Sequence, residues 1–301
     1  MKRAWVVVVG LASAACSAVL GLPDRVDDPG VDLDDGGTVT TEAAPSLDAE
    51  PPPDQIAPLV DAADAFVPPD PVKVTVSFAA GKDAKVYRFD AVAKIFTALV
   101  STGCPVAEET AVMSDGSVYV TSSDNQSLFR WTATGCTSVR AGSNFPYALG
   151  TAPIGTLSAT EEVLVGYMGA GDYVRVDRNN GDVVTVTPGA LGQLRPAGDL
   201  TAFGARGYLA ALQGTGAGAF ACAAGGDCIV EVSLVTGRPV ALLERFAGLG
   251  IYGLAHSRGS LLFYANGEVF PYDLTTKVLG PSLAPMPGGA GFSGAGAPPY
   301  P

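Results

Sequence analysis

One run of residues recurs through this sequence at a nearly regular interval. Its copies are Val86-Tyr87-Arg88-Phe89-Asp90, Leu128-Phe129-Arg130-Trp131-Thr132, Tyr173-Val174-Arg175-Val176-Asp177, Ile229-Val230-Glu231-Val232-Ser233 and Val269-Phe270-Pro271-Tyr272-Asp273. Successive copies lie 42, 45, 56 and 40 residues apart. Each alternates large β-branched or aromatic residues with polar ones, the period-two signature of a half-buried strand. In the clearest copy, residues 117–139, three such runs are divided by Ser, Asp, Asn and Gly. A period of roughly 40–45 residues holding about four short strands predicts an all-β chain folded as a β-propeller.

The remaining strands of each blade follow from the same ruler. Innermost strands are expected at 110–114, 155–160, 199–204 and 252–257. Second strands are expected at 118–121, 163–167, 208–212 and 261–264, and outer strands at 94–100, 136–140, 182–187, 238–245 and 277–281. Blade one lacks an innermost strand, because residue 73 opens directly on a second-strand run at 74–79. The C-terminal segment 288–296, GGAGFSGAG, aligns with the other innermost strands and is expected to fill that place, closing the ring and removing free sheet edges. Five blades result; six follow only if the Gly-rich regions pair differently. The long step of 56 residues comes from 214–227, GTGAGAFACAAGGD, inserted between the second and third strands of blade four.

Side-chain roles follow from the alternation. The pairs Tyr87/Phe89, Phe129/Trp131, Val174/Val176, Val230/Val232 and Phe270/Tyr272 share one face of each third strand and are expected as core between blades. Arg88 with Asp90 and Arg175 with Asp177 lie on the opposite face as candidate ion pairs. The stretch Ser114-Asp115-Gly116-Ser117-Val118-Tyr119-Val120, a strand end, a D-G turn and a VYV strand, resembles the blades of NHL and YncE-like propellers. That resemblance covers residues 73–296 and implies the fold without naming a function.

The ends of the chain read differently. Residues 1–16, MKRAWVVVVGLASAAC, place Lys2 and Arg3 before a short apolar run of signal-peptide length. Ser13-Ala14-Ala15 directly before Cys16 resembles the lipobox of bacterial lipoproteins, with Ser where Leu is commonest. The resemblance implies lipidation of Cys16, and Ser17 after it implies the outer membrane. Acyl chains stabilise membrane attachment by about 0.8 kcal/mol per buried CH₂, so two or three make a lasting anchor. Residues 17–72 hold 13 acids against Arg25 alone, which accounts for essentially all of the net charge of −12. Rich in Pro and poor in apolar residues, this segment reads as a disordered, extended tether. The expected organisation is therefore a signal peptide at 1–16, a tether at 17–72, the propeller at 73–296 and a tail at 297–301.

No set of residues converges on chemistry, and neither a catalytic, a cofactor nor a metal site is assigned. Ala255-His256-Ser257-Arg258-Gly259 looks like a nucleophile elbow, yet His256 is the single histidine and adjoins Ser257, so no triad assembles. Gly289-Ala290-Gly291-Phe292-Ser293-Gly294 matches G-x-G-x-x-G, but Ala297-Pro298-Pro299 follows where a nucleotide-binding helix would have to begin. Asp32-Leu33-Asp34-Asp35-Gly36 lacks the ligands of a calcium loop. Ser122-Ser123-Asp124-Asn125-Gln126 faintly resembles an Asp box, a structural turn. Asp177-Arg178-Asn179-Asn180-Gly181-Asp182 is first a hairpin turn. Setting Cys16 aside leaves an even count of cysteines in an exported chain, and hence candidate disulfides. Cys222 with Cys228 is the local pairing and Cys104 with Cys136 the remainder, although the strand ruler sets the latter two at opposite ends of neighbouring blades.

The function expected from these features is a non-enzymatic binding or scaffold module. It is held to the membrane through lipid, monomeric, with a protein or glycan partner, no cofactor and no basic footprint for nucleic acid. The alternative is a propeller enzyme of lactonase or lyase type with a channel site. Its candidate acids, Glu108, Glu109, Glu161 and Glu162, are expected at separate turns.

Overall fold

The computed structural model describes residues 75–214, 220–222 and 226–299. The signal-like segment with Cys16, the tether and the 32–36 loop lie outside the described residues. Strands β1 (Val76–Gly81), β2 (Val86–Asp90) and β3 (Ile95–Ala98) belong to blade one. Blade two is β4 (Ala107–Val112), β5 (Val118–Ser122), β6 (Ser127–Thr132) and β7 (Gly135–Ala141). Blade three is β8 (Ala148–Ala152), β9 (Val163–Tyr167), β10 (Tyr173–Val176) and β11 (Val183–Thr187). Blade four is β12 (Leu194–Phe203), β13 (Arg206–Gln213), β14 (Asp227–Ser233) and β15 (Pro239–Phe246). Blade five is β16 (Ile251–Ser257), β17 (Ser260–Ala265), β18 (Glu268–Asp273) and β19 (Val278–Leu279), with β20 (Ala284–Pro285) also beside β18. Finally β21 (Phe292–Gly296) pairs antiparallel with β1, so blade one has the order β21-β1-β2-β3. The chain forms five antiparallel blades in a closed β-propeller.

Each third-strand pair packs toward the preceding blade. Tyr87 and Phe89 lie with Ala255 and Tyr264 of blade five. Phe129 and Trp131 join Ala80 and Val86 of blade one, and Val174 and Val176 join Met113 and Leu128 of blade two. Val230 and Val232 meet Val165 and Tyr167 of blade three, and Tyr272 meets Ile229 and Tyr208 of blade four. Alternation fixes this arrangement, since successive side chains of a strand point to opposite faces.

One strand departs from the expected register. The innermost strand of blade three is β8, ahead of the expected 155–160, which instead lies in the long β8–β9 connection. There Gly155 takes a positive φ of 89° and its N–H donates to Ser158 O at 2.7 Å. Blades two, four and five turn tightly between their first two strands, so a fixed period overshoots here. The sequence of β8, ALGTA, is small and buried at every position, so it shows no alternation to read.

Candidate functional site

The five innermost strands meet at the axis, each with an unpaired backbone edge. Small residues let them approach: a Cβ on Gly150 would strike Leu200 O, and one on Gly294 would strike Glu108 O and Asp199 Oδ2. The edge amides left facing the axis need acceptors once water is excluded. Asp199 of β12 supplies them. Its Oδ1 accepts from Thr110 N–H of β4 at 3.1 Å, its Oδ2 accepts from Ala295 N–H of β21, and the Leu149 amide of β8 also reaches it. One carboxylate from blade four thus ties the inner edges of blades one, two and three.

Glu109 of β4 lies against it, and the two side chains hydrogen-bond each other. Asp199 is fully buried and Glu109 is 4% exposed. Burial raises both carboxyls. For Asp199 this is opposed by Glu109 and the backbone amides. For Glu109 it is reinforced by the Asp199 charge, by their hydrogen bond and by Glu108. No donor among the described residues reaches Glu109 Oε2. Glu109 is therefore the group pushed further above the usual carboxylate range, by burial first and then by the charge of Asp199. The Glu109 backbone N–H donates to Thr121 Oγ1 at 3.1 Å, and the Thr121 hydroxyl donates to Asn125 Oδ1 at 2.9 Å.

Around the mouth of the axis, on the face where the inner strands begin, several large apolar side chains stand exposed. Val106 precedes β4, Tyr147 precedes β8, Tyr252 is the second residue of β16, and Leu212 of β13 pairs with Arg195 near the start of β12. Tyr147 and Tyr252 are 50% and 42% exposed. Lys82 Nζ sits 4.4 Å from the Tyr252 ring centroid. Half-buried Glu108 lies at the same mouth, raised by burial and partly offset by Lys82.

The remaining flagged residues scatter. Glu108 and Glu109 lie within strand β4 rather than at a turn, and form a β-bulge that interrupts its ladder with β5 between Ala107 and Thr110. Glu161 and Glu162 belong to the β8–β9 connection, at the other end of the blades. There Glu161 pairs with Arg178 at 3.7 Å and Glu162 Oε2 accepts from Ser114 N–H at 2.9 Å. They border a polar groove of 450 Å³ with Leu157, Arg175 and Val184. Arg88 does face Asp90, at 3.9 Å. Asp177 instead accepts the Asn179 and Asn180 amides, while Arg175 is exposed. Asn180 Oδ1 accepts from Asp182 N–H within the turn, and the Asp182 carboxylate pairs with Arg140 of β7 in blade two, so these oxygens already have partners. Asp124 likewise organises its own bend, accepting from Ser122 Oγ and Gln126 N–H.

His256 and Ser257 end strand β16, and the turn falls on Arg258 and Gly259. Burial pushes the His256 imidazole down to about 4, so the ring is neutral, and its Nε2–H donates to Pro298 O at 2.9 Å. Through this bond the residues after β21 stay on the domain, with Ala297 buried. Phe292, Ser293 and Gly294 lie in β21, and no helix follows them among the described residues.

Both cysteine pairs are joined, Cys104 to Cys136 and Cys222 to Cys228. The objection to the first pair dissolves in the path of the β3–β4 crossover. On its way it passes the outer hairpin of blade two, where Val100 O accepts from Trp131 Nε1 at 2.7 Å and Thr102 O from Cys136 N–H at 2.8 Å. The sequence reading missed the role of Asp199. Its signal was a carboxylate set inside the small and apolar run PAGDLTAF.

Fold and axis together define a closed five-bladed propeller with a filled centre. No family model matches the sequence and no curated protein matches it. Among solved structures the chain is similar to one in a nidogen–laminin complex, with a TM-score of 0.48 and 12% identity, covering 74% of this chain and 97% of that one. It is also similar to the WD40 domain of SCAP from fission yeast, with a TM-score of 0.30 and 12% identity, covering 70% and 56% respectively.

Proposed function

We propose that this chain is a bacterial lipoprotein, acylated at Cys16 and held in the outer membrane, whose propeller is a monomeric, non-enzymatic binding module for a protein or glycan. The observation that carries the binding reading is the ring of exposed Val106, Tyr147, Leu212 and Tyr252 around an axis that is itself filled. Amphipathic tyrosines that are half exposed offer large contact area at low conformational cost. Lys82 and Glu108 add one charge of each sign beside them. A filled axis favours recognition at a surface over chemistry in a channel. The two disulfides favour an oxidising compartment outside the cytosol. The anchor reading rests on the lipobox resemblance of residues 1–16 alone.

Two measurements test these halves separately. Growth with an alkyne-bearing fatty acid should label the wild-type protein and leave Cys16→Ser unlabelled; an unlabelled wild type removes the anchor. A photo-crosslinking residue placed at Tyr147 or Tyr252 should capture a discrete partner in intact envelopes, whereas one at Ile95 or Val278 on the outer edges should not. Equal capture at all four positions, or none at Tyr147 and Tyr252, removes the docking face.

A further inference from the structure

The carboxyl pair at the axis is buried too deeply to meet a ligand, yet it sits where the ring is closed. We propose that ring closure depends on a proton held between Glu109 and Asp199, an axial latch that fastens blades one to four and loosens when both carboxyls are ionised. Asp199 accepts amides from β4, β8 and β21, so its charge is solvated by three other blades. Glu109, pressed against it, has one oxygen on Asp199 and another with no donor among the described residues. Two carboxylates in contact with so few donors repel each other and lose hydration, so one must stay protonated while the ring is closed.

Few other charges face the pair. Glu108, on the same strand, adds repulsion, and Lys82 lies beyond it. Strands β8 and β21 carry no titratable side chain. From β16, His256 is turned to Phe203 and Pro298 O, and Tyr252 lies under Lys82. On β12 itself Arg195 is exposed. On β5, Tyr119 packs toward blade three, and on β13, Tyr208 packs toward blade five while Arg206 reaches Glu231. Among the described residues no cation lies against the pair to neutralise a second charge at the axis.

The sign follows from linkage. A carboxyl that holds its proton more tightly when folded confers stability fully below its unfolded value, and that stability is lost as pH rises toward the folded one. The full-length protein should therefore become easier to unfold with urea between pH 6 and pH 9.5. The unfolding equilibrium constant should rise by up to about tenfold per pH unit where one proton is released. Glu109→Gln keeps a donor for Asp199 and removes one of the two buried carboxyls that titrate, so its stability should fall with a clearly shallower slope over that range, while Glu108→Gln should keep the steep slope of the wild type. Parallel curves for wild type and Glu109→Gln would overturn the latch. Infrared spectra of the wild type give a second reading that needs no variant. A protonated carboxyl band should persist at neutral pD and vanish on alkaline titration, and its absence at neutral pD would overturn the proposal even if Glu109→Gln fails to fold.

Discussion

The axis and the blade-to-blade interfaces hold the same ring by opposite means. At the axis, strands touch through backbone at glycines such as Gly150 and Gly294, around one buried carboxyl pair. Farther out, at the junction of blades five and one, the contact is ring on ring: Tyr264 meets Phe89 at 6.2 Å and Phe292 at 4.9 Å between centroids, both edge to face. Blades are wedges, so room between them grows with distance from the centre and side-chain volume grows with it. The axis therefore has no space to give, whereas the interfaces have bulk to lose.

That contrast can be broken in order of expected effect. Gly294→Val places carbon where Glu108 O and the Asp199 carboxylate already lie. It should abolish the cooperative unfolding transition, read by tryptophan fluorescence; a normal transition would mean that the axis can yield. Phe292→Ala, which removes a ring from the closing strand, should cost about 3–5 kcal/mol by urea denaturation. A cost under about 1 kcal/mol would show that the interface refills. Tyr264→Phe keeps the volume and deletes only the hydroxyl bonded to buried Ser77. About 1–2 kcal/mol is expected, and no change would mean that Ser77 finds another partner. Arg88→Ala removes a partly exposed ion pair and should stay within about 0.5 kcal/mol at moderate salt. A larger loss would assign the outer face an energetic role that the interfaces alone now hold.

The same contrast explains what could be read from the residues. Third strands were legible because Tyr87/Phe89 and Phe270/Tyr272 combine size with alternation, and a wedge-shaped gap demands both. The closing strand was legible because blade one lacked a partner and GGAGFSGAG has the small residues that an axis requires. The inner strand β8 was not, because Ala148 to Ala152 are buried on both sides and carry no polar phase. Nor was the latch: Glu109 reads as one more acid, and Asp199 lies some ninety positions away with nothing local linking them. The Cys104–Cys136 bond was named only as the pair left over, because the detour of the crossover past Trp131 leaves no mark in strand spacing.

The pairing of β21 with β1 has a consequence for how the molecule comes into being. Ser293 Oγ bonds Ala80 O across 213 positions of sequence, so the opening strand must wait for a segment synthesised far later before its sheet is whole. Until then every intermediate is an unclosed arc with a bare edge, slow to consolidate and prone to stick to its neighbours. A ring built this way locks only once its last blade segment arrives.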